Sequence, residues 1–262
     1  MFAMLFLIAG CASSTRELTL REPSAKAQAP IVAAPPVPAA VIGRSVQGRP
    51  IEMYSFGDVE GGSRPVLVMG AIHGNEPTSE DVARGLLEEM QRNRGLVGGV
   101  PLVILPVTNP DGLALKTRGN VNKVDLNRNF PAKNWGQATT GRTVRGGSQA
   151  ASEPETRALI SVIERLKPRL IITVHSIADG KQCNNYDGPA KQIAEVMTRH
   201  NGYPAVPTIG YPTPGSMGNW GGNDRQIPMI TLELPRGLPA SRAWPDHRAA
   251  VYAAIEAVDE RN

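Results

Sequence analysis

The chain has 262 residues, 41% hydrophobic and 20% charged, the make-up of an ordinary globular protein with room for one sizeable core. Its formal charge of +4 is mild and no run of five Lys or Arg occurs, which argues against a nucleic-acid-binding surface. No internal repeat with a period of roughly 20–50 residues is visible, so a solenoid or propeller is excluded.

The segment Met1 to Cys11 is apolar. It is too short to span a bilayer as a helix but long enough for the apolar region of a signal peptide. Its end, Leu7-Ile8-Ala9-Gly10-Cys11, resembles a bacterial lipobox, in which small residues precede a cysteine that is lipidated. On that reading residues 1–11 are a lipoprotein signal, Cys11 carries a membrane anchor, and the protein faces the periplasm in the cell envelope. No Lys or Arg precedes the apolar run, so an untargeted N-terminus on a cytoplasmic protein stays open. Residues 12–40 are rich in Ala and Pro, with Pro30, Pro35, Pro36 and Pro38 close together. Such a stretch cannot bury enough apolar surface to fold, and at about 3.1 Å per residue it makes a tether reaching on the order of 100 Å. The second cysteine, Cys183, lies in a polar stretch with nothing nearby to activate a thiolate.

From residue 41 to residue 262 the pattern reads as one domain. Ile51 to Phe56 alternates with the period of a strand, and Pro65 to Ile72 is an apolar run of buried-strand length. A helix is predicted over Ser79–Arg92, a strand over Pro101–Val107, and a loop-rich stretch to Ser152. Helix (Glu153–Lys167), strand (Leu170–Val174), helix (Ala190–His200), strand (Met229–Leu234) and helix (Arg242–Arg261) follow. Buried strands alternating with helices predict an α/β three-layer sandwich: a twisted, mixed but largely parallel central sheet with helices on both faces. Ligands in such folds bind beyond the carboxyl ends of the strands. His73, Asn109 and His175 each follow a predicted strand, whereas Glu233 sits inside one.

Gly70-Ala-Ile-His73-Gly-Asn-Glu76-Pro77 puts an imidazole and a carboxylate three residues apart at a strand-to-helix junction, with Pro77 suited to the first turn of the helix. Zinc accepts both ligand types, and His175 at the end of another apolar strand is the natural third donor. Alone, each residue is equally a capping Glu or a structural His; together they predict one Zn2+ per chain. Glu233, in an otherwise apolar strand, is a costly carboxylate unless it serves as a base or pairs with a cation such as Arg236.

The ordered set His73-Gly-Asn-Glu76, Asn109-Pro-Asp-Gly112, Asp125-Leu-Asn-Arg-Asn-Phe130, Ser152-Glu-Pro-Glu155, Val174-His-Ser176 and Thr231-Leu-Glu-Leu234 resembles the zinc carboxypeptidase family of carboxypeptidase A type. The resemblance runs from about residue 41 to the C-terminus. It implies that Glu233 is the general base and Arg118 the cation beside the reacting carbonyl. It implies also that Asn127 and Arg128 grip the substrate's terminal carboxylate, that Asp125 holds a zinc-ligating imidazole, and that Tyr211 belongs to a substrate-covering loop. Asn109 to Gly112 reads as a tight turn, and His200 and His247 as surface residues.

The form of the Asp125–Pro131 motif and the stretch Asn184–Ala190 look most like the murein peptide amidase branch. That likeness implies cleavage of the γ-D-glutamyl–meso-diaminopimelate bond of murein peptides or peptidoglycan stems, with Asp187 either a partner of the diaminopimelate or a turn former. An ordinary metallocarboxypeptidase and a peptidoglycan-binding relative without activity are the alternatives.

Overall fold

The computed structural model describes residues 35–59, 62–137 and 145–258. Cys11 and the whole segment 1–34 lie outside them. The strands are β1 (Ala40–Arg44), β2 (Pro50–Phe56), β3 (Val66–Met69), β4 (Leu102–Leu105), β5 (Leu170–Ile177), β6 (Cys183–Asp187), β7 (Ala205–Val206) and β8 (Met229–Pro235). The helices are α1 (Pro77–Arg92), α2 (Pro110–Leu115), α3 (Pro154–Leu166), α4 (Lys191–Asn201) and α5 (Ala240–Glu256). The sheet order is β1-β2-β4-β3-β5-β8-β6-β7. Its centre, β4-β3-β5-β8, is parallel, and antiparallel pairings flank it on both sides.

Period-two alternation divides the core between the two faces of the sheet. Val66, Val68, Leu102, Ile104, Ile172, Val174, Ile230 and Leu232 join α1, α4 and α5 in one cluster. Leu67, Met69, Val103, Leu105, Ile171 and Met229 meet Leu159, Val162 and Ile163 of α3, with Phe130 and Trp220, in the other. On this second face the apolar rows give way to polar ones toward the strand ends. Thr173 pairs with Thr231 and His175 with Glu233 across β5 and β8, while Cys183, Asn185 and Asp187 continue the rows on β6.

The three-layer reading holds, with local differences. β5 runs on to Ile177, so His175 lies within the strand; its polar Ser176 and His175 interrupt the apolar run by which the sequence marks a strand. Asn109 to Gly112 is a helix start, not a turn: the Asn109 side chain accepts from the Gly112 N–H at 2.9 Å and Pro110 occupies the first position of α2. His247 is buried, not on the surface; its Nδ1 lies 2.8 Å from the Ala243 carbonyl and its Nε2 3.0 Å from the Tyr203 hydroxyl. The domain also begins before residue 41. The Val37 backbone exchanges two hydrogen bonds with the Gln91 side chain on α1, at 2.6 and 2.9 Å. Among the described residues no helix is long and apolar enough to cross a membrane.

Candidate metal centre

β3 and β5 are neighbours whose following connections leave in opposite directions along the sheet, toward β4 and toward β8 and β6, so a crevice opens at their carboxyl ends. The turn after β3 is tightly packed. A Cβ on Gly74 would sit 1.9 Å from the Gly112 carbonyl carbon, and the Asn109 amide donates to the Ile72 carbonyl at 3.1 Å. The turn delivers His73 and then Glu76, the residue before the first turn of α1. Gly74→Ala is therefore expected to cost about 1–3 kcal/mol of stability by overpacking backbone against backbone, read as a lowered melting temperature together with weaker zinc binding. An unchanged protein would mean that the turn and α2 separate easily.

His73, Glu76 and His175 are buried together. His73 Nδ1 is 3.1 Å from Glu76 Oε1 and 3.1 Å from His175 Nδ1, and His175 Nδ1 is 3.2 Å from Glu76 Oε2. Ligand bonds of about 2.0–2.1 Å in a tetrahedron give edges of about 3.3–3.4 Å, close to these separations. His73 Nε2 lies 2.9 Å from Asp125 Oδ1, so the proton belongs on that nitrogen and the Nδ1 lone pair points at the metal position. The donor set thus fits zinc in charge, softness and geometry.

Burial works against the imidazolium of His73, but the carboxylates of Asp125 and Glu76 outweigh it and raise its pKa. Burial likewise opposes the charged forms of Glu76 and Asp125. The nearby imidazoles, and for Asp125 also Arg118 and Arg128, hold both carboxyls below their ordinary range. Arg118 donates from Nε to Asp125 Oδ2 at 2.8 Å and from Nη1 to Glu76 Oε1 at 3.1 Å. The Ser176 N–H donates to Glu76 Oε2 at 3.0 Å.

Glu233 faces the same cleft from β8, in register with His175. Burial raises its pKa and the Glu76 charge adds to the effect, against His175, His73 and Arg118. Arg236 is not drawn into the cleft but lines a neighbouring groove. Cys183, behind Glu233 on β6, is buried, and burial with the Glu233 charge pushes its thiol up to about 12, the opposite of an activated nucleophile.

Asn127, Arg128 and Tyr211 line the cleft too. The Asn127 side-chain oxygen Oδ1 accepts from the Met217 N–H at 2.9 Å and its side-chain nitrogen Nδ2 lies 3.5 Å from His175 Nε2, so this residue also braces the site. Ser176, Asn185 and Thr231, which the sequence offers only as members of quoted motifs without a role, also line the cleft, as do Thr213 and Ser216. The alternation of Thr231 with Glu233 on one strand was the available signal.

The comparisons with known proteins agree with this geometry. The zinc carboxypeptidase family model matches residues 36–186. Murein peptide amidase A of Vibrio campbellii is 35% identical over 209 residues, covering 74% of this chain and 77% of that protein. The carboxypeptidase N catalytic chain of Rattus norvegicus is 33% identical over 166 residues, 51% of this chain and 36% of that one. The crystal structure of murein-tripeptide amidase from Escherichia coli O157 aligns with a TM-score of 0.69 at 28% identity, over 85% of this chain and 93% of that one. With the family match running through His73, Glu76 and His175 alike, the chain belongs to the zinc carboxypeptidase family.

Proposed function

We propose that the protein is a zinc-dependent murein peptide amidase that hydrolyses the γ-D-glutamyl–meso-diaminopimelate bond. The observation that carries this reading is a half-buried carboxylate in the cleft. Asp187 ends β6 beside the metal set, and its carboxylate lies where any side chain at position 218 would stand: a Cβ on Gly218 would be 2.2 Å from Asp187 Oδ2. Its polar partner is the Asn223 amide at 2.9 Å; burial raises its pKa, and this neutral donor only partly offsets the rise. A carboxylate so placed is best satisfied by a cation brought by the substrate. Diaminopimelate carries such an ammonium on its second amino-acid centre; an aliphatic or aromatic C-terminal residue does not. The likeness to murein peptide amidase A over three quarters of both chains supports the same substrate.

Zinc held by His73, Glu76 and His175 would supply Lewis-acid help, making the scissile carbonyl more electrophilic and a water easier to deprotonate near neutral pH. Glu233 takes the water's proton and returns it to the leaving nitrogen. Arg118 presents its guanidinium to the oxygen on which negative charge develops. Arg128, with Asn127, receives the free carboxylate of the leaving residue in a two-pronged hydrogen bond. Tyr211 closes over the substrate.

Mass spectrometry of L-Ala-γ-D-Glu-meso-diaminopimelate after incubation should show free diaminopimelate and L-Ala-D-Glu. Arg128→Ala should weaken binding of this tripeptide by about 1.5–3 kcal/mol, the worth of a charged hydrogen bond, seen as a raised KM. If the tripeptide survives while ordinary L-peptides lose their C-terminal residues, the protein is a carboxypeptidase instead; if neither is cleaved, it is a binding relative.

We also propose export and anchoring at Cys11, supported by the lipobox-like sequence before it. The enzyme would then reach wall peptides from the membrane on its Ala/Pro-rich tether. Cys11→Ser, or globomycin treatment, should move the protein out of the detergent-requiring membrane fraction. A wild-type protein that is soluble with Met1 intact defeats the anchor.

A further inference from the structure

A second groove opens beside the metal cleft and shares Arg118, Arg128 and Tyr211 with it. Lys123, Arg145 and Arg236 line this groove as well, so that five cations face it. Asp125 is its one acidic lining residue among those described, and Asp125 is already committed to His73 and Arg118. Lys123, Arg145 and Arg236 are exposed and form no ion pair among the described residues. Like charges gathered on three separate segments repel one another, and one exposed cation is worth little. Several of them converging on one groove focus the field and favour an anion.

Lys123 and Arg118 lie on the loop that follows α2, itself reached from β4, whereas Asp187 ends β6. In the order β4-β3-β5-β8-β6 the metal ligands of β3 and β5 lie between those two strands. Lys123 and Arg118 therefore approach the reacting centre from the side of the sheet away from Asp187, and Arg236, which follows β8, meets them in the same groove, whereas Asp187 does not line it. We propose that the basic groove is a subsite for a free carboxylate on the acyl half of the substrate, namely the α-carboxylate that glutamate keeps when it is linked through its γ-carboxyl. This rests on the amidase reading and extends it. An ordinary α-linked peptide has no carboxylate at that position unless an acidic side chain supplies one, so the groove selects for the linkage as well as for the residue.

The test is direct binding by calorimetry to the zinc-loaded full chain. The probes are L-Ala-D-Glu and L-Ala-D-isoglutamine, which differ only in the α-carboxylate and its amide. The free acid is expected to bind about tenfold more tightly, as a charge-assisted contact allows, and the difference should shrink as salt rises from about 0.05 to 0.3 M. In Lys123→Gln/Arg145→Gln/Arg236→Gln the acid should fall to the affinity of the amide. Arg236→Gln alone, a milder change at an exposed position, should lose part of the preference. Equal binding of the two probes to the wild type, or a preference that survives in the triple variant, overturns the subsite. Tripeptide hydrolysis is scored separately: a tripeptide left intact, with the preference and its loss both observed, defeats the amidase reading and leaves the subsite standing.

Discussion

Glu233→Gln is expected to lower kcat by about 10³–10⁴-fold, or about 4–5.5 kcal/mol in the barrier, with the fold and the bound zinc unchanged. Glutamine keeps the shape and hydrogen-bonding reach of the side chain but cannot take up a proton. The register of β5 and β8 sets Glu233 beside His175, close to the metal set without belonging to it. Burial raises the pKa of its carboxyl above the ordinary carboxylate value, the direction that suits a group exchanging protons. The measurement is single-turnover hydrolysis of the tripeptide alongside metal analysis of the same sample. Loss of zinc together with activity would make Glu233 a ligand or a structural residue.

The second large effect concerns the metal. Wild-type protein should carry about one zinc per chain, and His73→Ala/Glu76→Ala should carry almost none and be inactive. Two of the three donors are then gone, and a single imidazole does not hold the ion against a chelator. Asp125→Asn is the graded case: it keeps all three donors but weakens the carboxylate behind His73, and losses of this kind cost about 10–100-fold in metal affinity. Because zinc binds the folded chain, stripping it from a sample held at about 1,000 times its Kd removes about 4 kcal/mol of stability. Thermal unfolding with and without chelator reads that loss. Undiminished zinc in the double variant would remove both residues from the site.

The metal set was legible in the sequence because its parts are local. His73 and Glu76 share one turn, and His175 stands at the end of a run of apolar strand residues. Asp125 and Arg118 were placed through family resemblance, and their geometry is explicable only in three dimensions, where one carboxylate serves an imidazole and a guanidinium at once. β6 was not legible: Cys183-Asn-Asn-Tyr-Asp187 lacks the apolar run of a buried strand, because its buried Asn184 is satisfied by Asn201 and the Tyr203 carbonyl, which are distant in sequence. His247 was misjudged although a signal existed. Ala243, His247, Ala250 and Ala254 recur at helical spacing, and all four are buried. The basic groove could not be read from a net charge of +4, since it arises from cations on three segments brought together by the fold.

The alternation along β5 and β8 has a consequence for how this enzyme can change. Each strand works as a two-position reading frame, with Ile172, Val174, Ile230 and Leu232 in one phase and Thr173, His175, Thr231 and Glu233 in the other. Gaining or losing a single residue ahead of His175 or Glu233 within these strands would swap the phases, driving an imidazole or a carboxylate into the oily layer under α1, α4 and α5. Substitutions can be explored one at a time at these positions, but length cannot. Changes of length are therefore confined to the connections, including the loop that carries Arg118 and Lys123.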